Sequence, residues 1–260
     1  MTLSTLALQW SATETKAAEV ENQGKSRGKS AGTPAVWLLK QQGIFSGEFD
    51  TYLSPQGLRA EGVRSHTIII ARPPRWDIVA FNTNAKTVWN GKLEDFRPTQ
   101  GTQRLLTSVG GVPSLAGIKF PRSESRIQKG VKGKSYFTDA AWTAAQTALY
   151  QKNAITKLYP KYATYFGATE IPASPQARTI LERLFSSPIL DLVPIEYKYE
   201  QFNGTKKIIL VTFSAKPGSA RPDWLTVPAG LRRVGSMEEV SMDSTSQEGL
   251  DEMLDNIRPR

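Results

Sequence analysis

The sequence predicts an α+β fold in which two blocks of antiparallel strands flank a helical middle. Three observations carry this expectation. Apolar residues alternate at period two over residues 45–89 and again over 191–216, turn residues punctuate both stretches at hairpin spacing, and helical periodicity occupies the residues between. With 260 residues and 39% apolar content, the chain can bury a sizeable core.

Residues 1–35 read as an N-terminal arm. Leu3, Leu6, Ala7 and Leu8 form a short apolar patch, but the basic start and full apolar stretch of an export signal are missing. Two readings stand, a flexible arm or the remnant of such a signal. The folded domain spans 36–235. Phe45, Phe49, Thr51 and Leu53 alternate with polar residues, and Ser54-Pro55-Gln56-Gly57 supplies the turn of a hairpin. His66–Ala71, a Pro73-Pro74 break, Trp76–Phe81, the polar turn Asn82–Ala85 and Lys86–Trp89 then predict a second meander.

A basic, helical insertion is expected at about 97–188. Within it, Leu105–Phe120 is apolar enough for a buried loop or short helix. Thr138 is a candidate N-cap for a helix with Trp142, Ala145, Leu149 and Tyr150 on one stripe, running towards Leu158. Ser174 and Pro175 open a second helix carrying Ile180, Leu181, Leu184 and Phe185, closed by Pro188. Strands return at 191–216, where Ile195, Tyr197 and Tyr199 alternate and Asn203-Gly204 forms a hairpin tip. Trp224–Val234 looks like a final strand. In 236–260, Ser236 and Glu239 stand at capping-box spacing and Leu250, Met253, Leu254 and Ile257 at helical spacing, giving either a docked helix or a solvated acidic tail.

Charge is unevenly spread. The formal net charge is +9, yet residues 236–260 hold seven acids against two arginines, which leaves +14 on residues 1–235. Such a body favours anionic partners. Lys119, Arg122, Arg126, Lys129, Lys132 and Lys134 face only Glu124 in opposition, with Phe120, Tyr136 and Phe137 alongside. That run suits contact with nucleic acid, an acidic protein or an anionic membrane surface, or it is a solvated loop.

Several chemistries are excluded or unsupported. With no cysteine and one histidine, the chain cannot build a Cys/His zinc site, attach haem through cysteines or use thiol chemistry, and the redox compartment stays open. No apolar run approaches the ~18–20 residues of a membrane span. The Gly-Lys-Ser triplets at 28–30 and 133–135 lack the earlier glycine of a phosphate loop, since Gln23 and Gln128 stand there. His66 heads a strand without a nucleophile elbow nearby and reads as structural, while Asp77, Glu94 and Asp95 read as ordinary edge or turn acids. Asn203-Gly204-Thr205 matches a glycosylation sequon that the hairpin tip already explains. No catalytic residue, metal or cofactor is expected, and a hydrolase whose acids meet only in three dimensions is the weakest reading.

Taken together, Ile68–Trp89 resembles the core hairpin of the periplasmic lipoprotein carriers of the LolA/LolB-like superfamily. The resemblance rests on Arg72-Pro73, on Trp76, and on Lys86-Thr87-Val88-Trp89, with support from Gly47–Gly62 and the closing Pro228-Ala229-Gly230. It covers about 36–96 and 191–234. It implies a strongly curved, unclosed antiparallel half-barrel wrapped over helices, with an apolar cavity that takes lipid or lipoprotein acyl chains in a bacterial envelope or periplasm. Under it, Phe49, Trp76, Phe81 and Trp89 line that cavity and Arg72 governs how its lid closes; the plainer role for Arg72 is to bond loop carbonyls at a strand end. The carriers also begin with a long helix, for which only Val36–Gln42 remains here. The first functional expectation is therefore non-enzymatic acyl-lipid binding or transport, and the alternative is a basic interaction module.

Overall fold

The structure is a computed structural model that describes residues 35–98, 119–138, 160–201 and 204–241. The N-terminal arm, the 28–30 triplet, most of the apolar 105–120 stretch, the helix expected after Thr138, Asn203 and the 250–257 stripe lie outside the described residues.

Alternating side chains and β-branched runs make most of the chain into strands. β1 (Ala35–Gly43), β2 (Gly47–Ser54), β3 (Gly57–Gly62), β4 (Thr67–Ala71), β5 (Ile78–Asn82) and β6 (Thr87–Gly91) follow one another as an antiparallel meander. Residues 36–42, the only room for a leading helix, are thus strand, paired on both sides. β7 (Arg122–Gln128), β8 (Val131–Phe137) and β9 (Pro160–Ala168) form a second run, joined by β10 (Val193–Gln201) and the long β11 (Lys206–Ser219). β12 (Arg232–Arg233) adds a short parallel edge to β6. One unclosed sheet of 12 strands results, in the order β12-β6-β5-β4-β3-β2-β1-β11-β10-β9-β8-β7.

The middle of the chain departs from expectation. The basic stretch 122–137 is a hairpin of the sheet and not a loop or helical insertion, and β9 extends the same sheet. β7 is exposed along nearly its whole length, as an edge strand with few neighbours is, and β8 buries alternate residues of which Gly133 and Ser135 carry no apolar signal. The final strand expected at Trp224–Val234 shrinks to two residues.

Among the described residues, two α-helices cover one face. α1 (Pro175–Leu184) starts where Ser174 Oγ accepts from the Ala177 N–H at 3.0 Å, with Pro175 preset in the first turn. Its stripe of Ala177, Ile180, Leu181 and Leu184 is buried. α2 (Met237–Ser241) carries the expected capping box, with the Ser236 N–H donating to Glu239 and the Glu239 N–H donating to Ser236 Oγ. Ile180, Leu181, Met237 and Val240 belong to the same core cluster as Leu53, Ile69, Ile78, Tyr165 and Tyr197.

The sheet curls around α1, and one bond demonstrates the curl. The Arg183 guanidinium donates to the Leu93 carbonyl just beyond β6, while α1 itself packs on β10. Those two strands are seven spacings apart in the sheet, about 34 Å if it were flat, whereas a ten-residue helix spans about 15 Å. Phe185 also meets Phe49 of β2 edge-on at 6.1 Å. The helices therefore mark the concave face. Where β1, β10 and β11 shift register, buried Gln41 donates to the Pro194 carbonyl (2.8 Å) and to Thr212 Oγ1 (3.0 Å), and Thr212 donates to the Ile195 carbonyl. These bonds satisfy backbone groups that the bulges release.

Candidate functional site

Pleating decides which side chains reach the convex face. In β4 and β5, Ile69, Ala71, Ile78 and Ala80 enter the core on the helix side. Ile70 and Val79, directly paired across the two strands, therefore project to the other face. β4 ends at Ala71, and Arg72, Pro73, Pro74 and Arg75 form an exposed turn. The prolines lack N–H groups and sit outside the ladder, as chemistry requires. Trp76 closes the turn, its N–H donating to the Arg72 carbonyl at 3.1 Å, and its left-handed backbone (φ 58°) turns the indole back into the core, where it is 5% exposed.

Beyond β11, residues 220–231 run as a strap over the convex face towards β12. Trp224 is its anchor, buried against Val36, Ala220, Leu38, Tyr52 and Leu225. Arg59, itself 7% exposed, donates from Nη1 to the Trp224 carbonyl at 2.9 Å and pairs through Nε with Glu61. Leu225 seats over Gly57, where a Cβ would stand 2.7 Å from Leu225 Cδ1 and 2.9 Å from the Ala71 carbonyl. Glycine is the residue that lets strap and strand approach.

Between the strap and the β4–β5 turn lies an open cavity of about 740 Å³. Ile70, Val79, Pro74, Leu225 and Val227 supply apolar wall, and Arg72 and Arg75 stand at the turn that bounds it. Arg75 is engaged by Asp77 at 2.9 Å. No described residue bonds or pairs with the Arg72 guanidinium. A smaller hollow of about 350 Å³ on the other flank of the strap is bounded by Tyr52, Arg59, Glu61, Arg221 and Trp224. Burial, then the Glu61 and Asp50 charges, push the Tyr52 phenol above its ordinary value.

The expected cavity residues do not converge on this hollow. Phe49, Trp76 and Trp89 are buried in the concave core at 4%, 5% and 9% exposure. Phe81 pairs with Ile68 and Val88 while Trp89 pairs with Ala80, so Phe81 projects to the face opposite the other three. Only Arg72 of that set borders the cavity. His66 is exposed in the β3–β4 turn, away from any nucleophile or acid bonded to it among the described residues.

The basic run is divided by the same alternation. Arg122 and Arg126 lie on the face of Phe137 and Phe166, over whose rings their guanidinium groups sit at 5.2 and 5.6 Å. Lys132 and Lys134 project from the opposite face with Tyr136, Lys129 is at the hairpin tip, and Lys119 precedes β7. A single flat cationic patch does not form.

Glu182 is the polar group that pattern reading passed over. It is 1% exposed, Oε1 accepts from the Leu190 N–H at 2.9 Å, and Oε2 has no partner among the described residues. Burial raises its carboxyl to about 6, against the backbone N–H groups of residues 190–192 that lower it. Burial also pushes up the Tyr165 phenol, with Glu182 and Tyr136 adding to the effect. In α1 a charged residue beside an apolar stripe reads as solvated, so nothing in the sequence signals this burial.

No family model matches the chain, and no curated protein sequence does. Among solved structures, the crystal structure of an uncharacterized conserved protein from Thermus thermophilus is similar over 76% of this chain and 89% of that one, at 9% identity and a TM-score of 0.37.

Proposed function

We propose that this chain binds an anionic amphiphile, an acyl lipid or the acyl chains of a lipoprotein, without catalysing a reaction on it, and that it does so in a bacterial envelope. The observation that carries this reading is the 740 Å³ cavity, where Ile70, Val79, Leu225 and Val227 stand beside Arg72, whose guanidinium pairs with no described residue. That volume falls within the ~300–1,000 Å³ of small-molecule sites. The hydrocarbon would lie on Ile70, Val79, Leu225 and Val227, and the headgroup anion would meet Arg72. Burying ten methylenes contributes about 8 kcal/mol at ~0.8 each, before ordering costs, so binding needs no further group. The cavity lies on the convex face, whereas the carrier resemblance implies the concave one, so carriage within a closed lid is not part of this reading.

The test is direct. Organic extraction and mass spectrometry of the purified full chain should recover acyl lipid, and a fluorescent fatty acid should bind wild type more tightly than Val79→Trp, whose indole would stand on the wall where the hydrocarbon would lie. Probe binding that is equal in both proteins would overturn the proposal.

A further inference from the structure

β7 is the last strand of the sheet, and its outer edge has no partner among the described residues. The phase of that edge follows from its turn. Lys129 and Gly130 both have positive φ (54° and 79°), the geometry of a two-residue hairpin, so the flanking pair Gln128 and Val131 exchange hydrogen bonds. Counting back, Arg126, Glu124 and Arg122 bond to β8, and Ser123, Ser125 and Ile127 direct their N–H and C=O groups outward. The same phase on β8 turns Lys132 towards β9, and its carbonyl does accept from the Thr169 N–H at 3.0 Å.

Besides charged side chains, sheet edges are commonly blunted by shortness, proline or a bulge. β7 has none of these: it runs seven residues in unbroken register, and Ile127 on it is 68% exposed. What it carries is a modest positive charge, Arg122 and Arg126 against Glu124, with Lys119 before it and Lys129, Lys132 and Lys134 in the turn and on β8. The Arg122 and Arg126 guanidinium groups lie over the Phe137 and Phe166 rings beside the open edge, Arg126 also bonding Gln128 and pairing loosely with Glu124 at 4.0 Å. Two such edges repel each other, which disfavours pairing with a second copy, and an acidic strand is attracted. A nucleic acid would gain from the charge but leave the outward N–H and C=O groups of Ser123, Ser125 and Ile127 unused.

We propose that β7 is a docking edge that accepts an extended acidic segment of a partner protein as a thirteenth strand, bonded to Ser123, Ser125 and Ile127 and flanked by Arg122 and Arg126. The inference is independent of the amphiphile cavity, which lies near the other end of the sheet order.

A fluorescein-labelled twelve-residue peptide of alternating glutamate and valine tests it by anisotropy against the full chain. Two derivatives, N-methylated on every glutamate or on every valine, remove donors from opposite edges of the extended peptide. One derivative should bind as the parent does and the other at least tenfold more weakly, as loss of two or three hydrogen bonds implies. Ser125→Pro, which deletes an outward donor without touching the β7–β8 ladder or any charge, should weaken the parent peptide by a similar factor. Both derivatives binding alike, no peptide binding at all, or tighter binding of a dT12 oligonucleotide than of the peptide would each overturn the proposal. Should Ser125→Pro fail to fold, the paired derivatives on wild type decide the matter alone.

Discussion

Arg72 and Trp76 share one turn yet should answer to different measurements. The exposed Arg72 guanidinium bonds no described residue, so Arg72→Leu should change unfolding free energy by no more than about 0.5 kcal/mol. Trp76 is 5% exposed in the concave core, and Trp76→Ala removes its packing at a cost of about 3–5 kcal/mol. For a folded region of this size that is a loss of roughly 6–20 °C in Tm. Binding should invert the order. If Arg72 meets a headgroup anion, losing a charge-assisted bond of ~1.5–3 kcal/mol weakens a fluorescent fatty acid by about ten- to a hundredfold. Trp76→Ala, measured well below its Tm, should retain the cavity wall and most of the affinity. Thermal unfolding and probe titration on both variants supply the numbers. The reasoning is refuted if Arg72→Leu destabilises as much as Trp76→Ala, or binds the probe like wild type.

Two further expectations concern the scaffold. Glu182 has a folded pKa of about 6 against an ordinary value of 4.5, so its contribution to stability is complete below about pH 4.5 and is lost as pH rises through 6. Urea unfolding at pH 4.5 and 7.5 should therefore show Glu182→Gln gaining on wild type at the higher pH by on the order of 1–2 kcal/mol, and an equal difference at both values would refute the assignment. Gly133→Ala would set a Cβ 2.2 Å from the Gly167 carbonyl oxygen, forcing β8 from β9 at a cost of about 1–3 kcal/mol or more; circular dichroism and Tm equal to wild type would contradict that packing.

Local chemistry was legible wherever one residue's neighbours along the chain decide its conformation. The Ser54–Gly57 turn, the Pro73-Pro74 break, the Ser174-Pro175 helix start, the Ser236–Glu239 capping box and the period-two burial of Ile195, Tyr197 and Tyr199 all stand as the sequence implies. Each depends on φ preferences, caps or alternation that act within a few residues. The half-barrel itself also accords with the fold class expected from the residues and the carrier resemblance together.

What tertiary structure alone decided is which face each side chain meets and which distant segment lies across it. Phe81 alternates correctly along β5, yet only the pairing with Ile68 and Val88 shows it on the face opposite Trp89. Arg122 and Lys132 look like one cationic run until the hairpin register separates them. The strap over Ile70 and Val79, and hence the cavity that Arg72 borders, depends on Arg59 reaching a carbonyl 165 positions away. Glu182 reads as a solvated helical residue, and it is buried because the chain that follows α1 folds back to donate its N–H groups. Contacts of that range are set by the curvature and order of the sheet, quantities that no local window of sequence contains.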